Sequence, residues 1–258
     1  MIALSVGNTR TRIGLCRGEE LHGSSVHGSS DTGAIAAAAV ALGERSEGDH
    51  NPLVVMSSVH RAAADAIEKA VVAEGLEVRR FGRDMVVPIT HALDDDGART
   101  VGQDRLLCAI GAFSLTGQAS VVVDLGTAMT VDFVDGAGVF HGGAIAPGLG
   151  MMLRSLHEYT DALPKIDYKV PEEGAHFGKN TPDAMRLGVT AMVNGAVRWL
   201  AERYALHYEA YPRIIATGGD IGVLEADGLV ETFVPDLQLI GIRRACELIL
   251  AAESDHGT

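Results

Sequence analysis

Two short segments of the chain combine glycine with hydroxyl or amide side chains directly after an apolar run. Gly7-Asn8-Thr9 follows the apolar start of the chain, and Gly126-Thr127 follows the run Ser120 to Val123. Turns of this composition expose backbone N–H groups and hydroxyls, which can surround phosphate oxygens without net positive charge. Either segment alone could be an ordinary connecting turn. Two of them in one chain favour a nucleotide-phosphate site, although the sequence has no GxxxxGK[ST] loop.

Two aspartates, Asp104 and Asp124, stand where a carboxylate could act in phosphoryl transfer, which needs an acceptor for the hydroxyl proton and a cation to offset phosphate charge. Asp104 lies at the predicted start of a helix, where free amides favour an anion, and its neighbour Arg105 could bind a substrate carboxylate or phosphate. Asp124 ends a buried strand, where α/β proteins bind ligands and where a hard cation would fit. The structural alternatives are a helix cap at Asp104 and a turn cap at Asp124.

Three further glycine-rich segments could contact an anion or could simply form tight connections: Gly142 to Gly148, Gly178 to Thr181, and Thr217 to Asp220. The first joins a predicted strand to a helix, and the other two stand at predicted helix starts. Each of them alone is an ordinary loop or helix start by propensity. The ten histidines show no HxxH or HExxH spacing, which disfavours a histidine metal site.

The elements that must hold these residues follow from the hydrophobic pattern. Met1 to Leu4 is apolar and Thr11 to Cys16 resumes with β-branched and apolar residues, so a β-hairpin should carry the first turn. Ser5 to Thr9 is echoed by Asp124 to Ala128, and this weak internal repeat suggests a duplicated fold. The other predicted strands are 53–57, 120–123, 129–134, 139–145 and 214–217, the predicted helices are 32–45, 62–74, 104–115, 181–208 and 237–252, and residues 94–97 are predicted to be a polar loop.

Composition limits the class of protein. The chain has 258 residues, 47% of them hydrophobic and 21% charged. A chain of this length can bury a large core without disulfides or a structural metal. A net charge of −13 argues against a general nucleic-acid binder, whose footprint would be basic. Cys16, Cys108 and Cys246 lie far apart, which fits a reducing cytoplasm, and the longest apolar run, Ala34 to Leu42, is about half the roughly 20 residues of a membrane helix. We therefore expect a cytoplasmic protein with no nucleic-acid or membrane partner.

Six short motifs follow one another almost from end to end of the chain. They are Gly7-Asn8-Thr9; Gly102-x-Asp104-Arg105; Asp124-x-Gly126-Thr127-Ala128-x-Thr130; Gly142-Gly143-x-Ile145-x-Pro147-Gly148 with Ser155-Leu156 and Leu163-Pro164; Gly178-x-x-Thr181; and Thr217-Gly218-Gly219. Each motif is weakly specific, but six of them in this order and spacing are hard to obtain by chance. Together they resemble the type III pantothenate kinase family.

The resemblance implies a fold and an activity. The fold would be that of the acetate and sugar kinase, heat-shock chaperone and actin superfamily: an α/β protein with two ribonuclease-H-like domains, a duplicated actin-like ATPase fold, around a central cleft, usually as a homodimer. The expected domains are residues 1–115 and 116–258. The activity would be the ATP-dependent phosphorylation of pantothenate to 4′-phosphopantothenate, the first step of coenzyme A biosynthesis. It would use a divalent metal, magnesium, and a monovalent cation, potassium or ammonium.

The resemblance also implies roles for individual residues. Asp104 would be the general base for the pantothenate hydroxyl, Asp124 would bind the monovalent cation, and Thr127 would contact ATP. The other expected ATP contacts form the first hairpin: Ser5, Val6, Gly7, Asn8, Thr9, Arg10, Thr11 and Arg12. The expected pantothenate contacts are Gly102, Gln103, Asp104, Arg105 and Thr181.

Two positions depart from the family pattern. Ser5 stands where the first hairpin usually begins with Asp, and a hydroxyl can bind a phosphate or a metal-bound water but adds no charge to hold a cation. Asp95 stands where the family often carries a Tyr that lines the pantothenate pocket. Ser5 therefore keeps open a non-catalytic homologue that binds nucleotide and acts in regulation through a partner. Asp95 keeps open a kinase for another hydroxylated acid.

Overall fold

The computed structural model describes residues 1–46, 52–172, 174 and 176–256 of the chain. The strands in these residues are β1 (Ile2–Val6), β2 (Arg10–Arg17), β3 (Glu20–Gly28), β4 (Val54–Ser58), β5 (Val78–Arg80), β6 (Ser120–Leu125), β7 (Ala128–Val134), β8 (Phe140–Pro147), β9 (Arg213–Thr217) and β10 (Thr232–Phe233). The helices are α1 (Thr32–Glu44), α2 (Arg61–Ala73), α3 (Asp95–Thr100), α4 (Gln103–Thr116), α5 (Leu149–Glu158), α6 (Thr181–Tyr208) and α7 (Leu237–His256), with a 3₁₀ helix at Ile221–Asp227. Among these helices of the described residues, none contains an apolar stretch of the length needed to span a bilayer.

The N-terminal hairpin forms as predicted and belongs to a five-stranded mixed sheet with the order β3-β2-β1-β4-β5. The central strand β1 is antiparallel to β2 and parallel to β4, so Ser5 lies opposite Arg12 on one side and opposite Ser57 on the other. Ile2 and Leu4 of β1 are fully buried, because helices and neighbouring strands cover both faces of a central strand. The apolar run at the start of the chain thus places the first turn at the end of the innermost strand.

A second five-stranded sheet repeats this arrangement, with the order β8-β7-β6-β9-β10. Its central strand β6 is antiparallel to β7 and parallel to β9. The register places Asp124 opposite Thr130 on one side and opposite Thr217 on the other. The two sheets therefore share one strand order, and the duplication predicted from the repeated strand-turn-strand pattern is confirmed.

The chain divides into two compact units. The first comprises Met1–Gly117, Gly138–Phe140 and Asp236–Thr258, and the second comprises Gln118–Ala137 and His141–Pro235. The first change of unit lies close to the predicted domain boundary after residue 115, but α7 belongs with the first unit rather than with the second. Close helix packing explains this difference, since a Cβ atom on Gly241 of α7 would overlap the carbonyl oxygen of Leu107 in α4.

One prediction of local structure is wrong, and one segment differs from its prediction. Residues 94–97, predicted to be a polar loop, lead into α3, because the Asp94 carboxylate caps the helix by accepting the Gly97 N–H over 2.7 Å. The glycine-rich segment from Gly142 lies mostly within β8, which runs to Pro147 instead of ending near residue 145. The predicted helices at 32–45, 62–74, 104–115 and 181–208 are confirmed to within about one residue, and α7 continues four residues past its predicted end.

Each unit has its own apolar core. In the first unit β1, β2 and β4 pack against α1 and α2, and fully buried members of that core include Leu4, Ile35 and Ile67. In the second unit β6, β7 and β9 pack against α5 and α6, with Val121 and Val193 fully buried. Both central strands therefore rest on packed helices, and their polar ends are held in fixed positions.

Candidate active site

The first hairpin turn is held by a short hydrogen-bond ladder. The Gly7 N–H donates to the Arg10 carbonyl over 3.0 Å, and below the turn the buried hydroxyls of Thr11 and Ser29 lie 2.9 Å apart. Ser29 Oγ also donates to the Gly7 carbonyl over 2.9 Å. The tip residues 8–10 are exposed. The turn is thus rigid at its base and open at its tip, as a phosphate-binding turn requires.

A chain of three polar side chains crosses the end of β1. Ser5 Oγ donates to Gln238 Oε1, and Gln238 Nε2 donates to Ser57 Oγ over 3.3 Å. Ser57 is fully buried, whereas Ser5 and Gln238 are partly exposed. The amide of the last helix therefore joins the two neighbouring strands β1 and β4 at their carboxyl ends.

An ion pair fixes the start of α7 against the same hairpin. Arg12 of β2 donates to Asp236 Oδ1 over 2.7 Å, and Ser24 Oγ of β3 donates to Asp236 Oδ2 over 2.8 Å. About a quarter of each of the two charged side chains is exposed. Asp236 directly precedes α7, so this carboxylate anchors the helix that carries Gln238.

The Asp104 carboxylate lies in the first turn of α4, where the helix dipole favours negative charge. The cap position is occupied by Gly102, which has no side chain to bond the free amides. A Cβ atom on Gly102 would overlap Asp104 Oδ1. The glycine therefore leaves room for the carboxylate to fold back over the start of the helix.

The Arg105 guanidinium lies over the ring of Phe140, with its central carbon 5.7 Å from the ring centroid. Phe140 is fully buried, and its backbone donates to the Thr90 carbonyl and accepts the Ala92 N–H, both over 2.9 Å. The ring is therefore a fixed platform. It holds the Arg105 guanidinium beside the first turn of α4, and Arg105 directly follows Asp104 in the sequence.

The second hairpin turn rests on the start of α5. The Gly126 N–H donates to the Ala128 carbonyl over 3.0 Å, and the Gly148 N–H donates to the Thr127 carbonyl over 3.1 Å. A Cβ atom on Gly148 would overlap the Gly126 carbonyl oxygen. Thr127 itself is exposed at the turn. Only a glycine at position 148 lets the turn lie this close to the helix.

Residues that carry hydroxyl or carbonyl oxygens flank the partly buried Asp124 at the carboxyl end of β6. The hydroxyl residues Thr130 and Thr217 are its partners on the neighbouring strands. A Cβ atom on Gly218, whose φ is +108°, would come within 2.7 Å of Asp124 Oδ1 and would overlap the Leu125 carbonyl oxygen. Carboxylate, hydroxyl and carbonyl oxygens are the ligands that hard cations prefer.

Thr181 is the first residue of α6 and is exposed. The preceding Asn180 caps the helix: its Oδ1 accepts the Asp183 N–H over 2.9 Å, and its amide donates to the Asp183 carboxylate over 2.7 Å. Thr181 lines a groove of about 560 Å³ in the second unit. The apolar lining of the groove includes Leu156, Leu163, Met185 and Val189.

The structure groups the predicted residues by unit. Residues 5–12 and 102–105 lie in the first unit, and Asp124, Thr127 and Thr181 lie in the second. Asp124, in β6, and Thr127, in the turn that follows it, belong to one hairpin, whereas Thr181 lies at the start of α6. Asp95, which replaces the expected Tyr, lies in the first turn of α3. In the described residues no group of three or more His, Cys, Asp or Glu side chains is arranged to hold a metal ion.

Sequence reasoning missed three residues of the site: Asp236, Gln238 and Phe140. Asp236 and Gln238 lie more than 220 positions after the hairpin that they contact, at the start of a helix whose pattern indicates only packing. Phe140 lies in the predicted strand 139–145, where the sequence pattern indicates no further role. The one sequence signal for these contacts is Asp236, a carboxylate directly before an apolar helix to which no motif gives a role.

Comparison with known proteins agrees with the motif order. The family described as "Type III pantothenate kinase" matches residues 1–203. A type III pantothenate kinase of Rhodopirellula baltica is 40% identical over 174 residues, which are 66% of this chain and 62% of that relative. Another, from Syntrophotalea carbinolica, is 32% identical over 253 residues, which are 94% of this chain and 96% of the relative.

Solved structures support the fold. A putative Baf family transcriptional activator from Campylobacter jejuni is similar with a TM-score of 0.59 at 16% identity, over 97% of this chain and all of that chain. An activator of the 2-hydroxyisocaproyl-CoA dehydratase from Clostridium difficile, with bound ADPNP, is similar with a TM-score of 0.52 at 13% identity, over 100% of this chain and 97% of that one. With the six motifs, the duplicated sheet order and the match over residues 1–203, these findings lead to one conclusion: the chain belongs to the type III pantothenate kinase family.

Proposed function

We propose that this chain transfers a phosphoryl group from ATP to the primary hydroxyl of pantothenate, giving 4′-phosphopantothenate in the first step of coenzyme A biosynthesis. The observation that carries the proposal is the start of α4, where Gly102 makes room for the Asp104 carboxylate and Phe140 supports the Arg105 guanidinium. The family match over residues 1–203 includes every position to which the motifs give a role.

The pair at the start of α4 supplies an acid–base group and an anion-binding group. Asp104 accepts the hydroxyl proton as the new O–P bond forms, because an alcohol attacks poorly while it keeps that proton. Arg105 binds the pantothenate carboxylate by charge-assisted hydrogen bonds. The Phe140 ring restricts the guanidinium, so less freedom is lost when the substrate binds.

Within residues 5–12, the exposed tip, residues 8–10, binds the ATP phosphates together with Thr127, whereas the Gly7 N–H and the Thr11 hydroxyl hold the turn in place. The only side-chain ligand that Ser5 offers to a metal is a neutral hydroxyl. Such a group suits contact with ATP-bound magnesium through a water molecule better than direct coordination of the metal. Magnesium, when bound, offsets charge on the transferring phosphoryl group. Asp124, with its neighbouring hydroxyl and carbonyl oxygens, fits a monovalent cation such as potassium or ammonium.

The second unit offers the supports for two further parts of the proposal. Thr181 and the groove beside it bind the pantothenate chain.

One face of α6 exposes Met192, Trp199 and Leu206, at intervals of seven residues and with 61%, 56% and 80% of their surface exposed. We assign this α6 face to the interface of a homodimer. We also assign the protein to the cytoplasm, where its substrate ATP is available.

A coupled ADP-release assay tests the proposed reaction. We expect pantothenate-dependent ADP formation that needs magnesium and is stimulated by potassium. Asp104→Asn should lower kcat by about 10²- to 10⁴-fold, because the amide cannot accept the hydroxyl proton in the transition state. The melting temperature should stay the same, because the carboxylate serves the reaction and not the fold. Near-normal turnover in Asp104→Asn would contradict the assignment of the base.

Ser5 favours a second candidate function, a nucleotide-binding homologue that regulates a partner without catalysis. The absence of a carboxylate at this position lowers the negative charge available for a metal-bound nucleotide. In that case the folded protein would gain thermal stability from ATP but would show no pantothenate-dependent ADP release under any cation tested. The same assay plate therefore separates the two functions.

A further inference from the structure

The hydroxyl of Ser5 has a defined hydrogen-bond polarity. A serine hydroxyl carries one hydrogen and two acceptor lone pairs. Ser5 Oγ donates its hydrogen to Gln238 Oε1, so only lone pairs are directed elsewhere. The serine in this setting is an acceptor, as a carboxylate would be, but it carries no charge.

The Gln238 amide sets this polarity because its two ends are chemically different. Its oxygen accepts from Ser5, and its nitrogen donates to Ser57 Oγ over 3.3 Å. The reverse orientation would bring an N–H group to Ser5 and would turn the serine hydrogen outward. The completely buried Ser57 gives the amide nitrogen a partner that water cannot reach.

The helix carrying Gln238 is fixed at the hairpin by a separate contact. Asp236, two residues earlier, accepts from both Arg12 and Ser24. Arg12 lies directly opposite Ser5 in the β1–β2 register. The Arg12–Asp236 ion pair and the Ser5–Gln238 hydrogen bond thus tie β2 and β1 to the same short segment, residues 236–238, at the start of α7.

We propose that Gln238 is a positioning residue for the nucleotide site: it holds the Ser5 hydroxyl as a hydrogen-bond acceptor where the family pattern has an aspartate. The inference rests on the proposed function, because the acceptor matters only if ATP phosphates and their magnesium-bound water lie at the Gly7–Arg10 turn. Gln238 does not touch the nucleotide. It acts through Ser5, which retains the acceptor character of the lost carboxylate.

A double-mutant cycle tests this dependence. Affinity for magnesium-AMPPNP is measured by titration calorimetry without pantothenate, so that no turnover occurs. We expect Gln238→Leu to weaken binding by about three- to tenfold, the size of one lost hydrogen bond. In a Ser5→Ala background the same substitution should have almost no further effect, because the group through which it acts is gone. The KM for ATP should rise in the single variant while the KM for pantothenate stays unchanged.

A structural role would give a different pattern. If Gln238 only packs α7 against the sheet, Gln238→Leu will weaken binding equally in both backgrounds, and that result overturns the inference. Gln238→Asn, whose amide is too short to reach Ser5, provides a second variant should the leucine protein fail to fold, and the same cycle is expected. Gln118→Leu, a glutamine in the second unit, is the control and should leave the affinity unchanged. If the unmutated protein binds no magnesium-AMPPNP, the proposed function falls and this inference with it, whereas binding with additive effects removes the inference alone.

Discussion

The position of the Asp104 carboxylate depends on a missing side chain two residues earlier. Gly102 has φ −64° and ψ 133°, which any residue can adopt, so its backbone does not require glycine. What requires glycine is the overlap that a Cβ atom would make with Asp104 Oδ1. Because the end of an aspartate side chain can rotate away, the cost falls on the orientation of the carboxylate and not on the fold.

We therefore predict that Gly102→Ala lowers kcat by about 10- to 100-fold and changes the free energy of unfolding by less than about 0.5 kcal/mol. Steady-state kinetics and urea unfolding measure the two quantities. Gly33→Ala, at an exposed helical glycine with open space around it, is the control: it should leave kcat unchanged and should not lower the free energy of unfolding, because alanine has the higher helix propensity. A Gly102→Ala enzyme with full turnover would show that the carboxylate does not need its present position.

The sequence motifs singled out most of the candidate residues, but not the way in which they are supported. Gly102 was expected to contact substrate, and the structure adds a steric reason for the same glycine. Arg105 belongs to a predicted motif, whereas its platform, Phe140, lies 35 positions away at the start of β8. Contacts of this kind depend on tertiary packing, which local spacing does not reveal. The roles of these residues in binding and catalysis stay predictions.

At the scale of elements, α4 and α7 approach each other through glycine. A Cβ atom on Gly241 would overlap the Leu107 carbonyl oxygen, and one on Gly111 would lie 2.6 Å from the Leu237 carbonyl oxygen. Backbone atoms are involved on both sides, so no side-chain rotation can relieve the clash. The two helices must move apart to admit even a methyl group.

Gly241→Ala should therefore destabilise the protein by about 1–3 kcal/mol, in spite of the higher helix propensity of alanine. The free energy of unfolding from urea titration is the measurement, with Gly33→Ala again as a control in a helix of the same unit. An unchanged or increased stability of Gly241→Ala would mean that α7 does not pack this closely on α4.

An ion network joins α2 to the residues after β5. The Arg83 guanidinium donates to both carboxylate oxygens of Glu68 over 2.8 Å and to Asp84 over 2.8 and 2.9 Å, while Arg80 donates to Glu68 over 3.0 Å. The Arg83 hydrogen bond lowers the pKa of Asp84 to about 2, and Arg83 and Arg80 hold the pKa of Glu68 below its usual value. Bidentate arginine geometry makes this network stronger than a single surface pair.

The direction of the resulting pH dependence follows from the lowered pKa values. Both carboxyls bind protons more weakly in the folded than in the unfolded protein, so they stabilise the fold above about pH 4 to 5, and this stabilisation is lost as the pH falls towards about 2. Arg83→Gln should make the fall in urea midpoint between pH 5 and pH 3 less steep. Arg99→Gln, which removes an exposed pair with Asp96, should leave the slope unchanged. Equal slopes in all three proteins would contradict the prediction.

The elements differ in how well their sequences indicate them. β1 and β6 are short apolar runs next to glycine turns, and α6 was predicted with its observed bounds. β3 was missed because most of its residues are polar and exposed, so no alternation marks it, and β5 has only three residues. The sequence predicts a loop at the first turn of α3 because three successive aspartates suggest solvent exposure, although Asp94 is a helix cap. Burial patterns can be predicted from sequence, whereas edge strands and capped short helices depend on their neighbours.

At the scale of the whole molecule, the exposed face of α6 makes the proposed homodimer testable. Met192, Trp199 and Leu206 form one apolar stripe along the helix, and the Arg203 guanidinium lies 4.6 Å from the Trp199 ring centroid. Trp199→Glu would bury a charge in the interface. We therefore expect the molecular mass measured by sedimentation equilibrium to fall to that of a single chain. Val72→Glu, at an exposed apolar residue of α2, is the control and should leave the mass unchanged. A single-chain mass for the unmutated protein would contradict the dimer.

The membership of α7 in the first unit has a consequence for biosynthesis. A ribosome releases residues 1–117 first, but the helix that packs on α4 and anchors the first hairpin emerges only after residue 236. The second unit, which lies between these segments, can complete its core earlier during translation. Until α7 emerges, the nascent chain exposes the apolar face of α4 to chaperones. The part of the molecule that is translated first therefore finishes folding last.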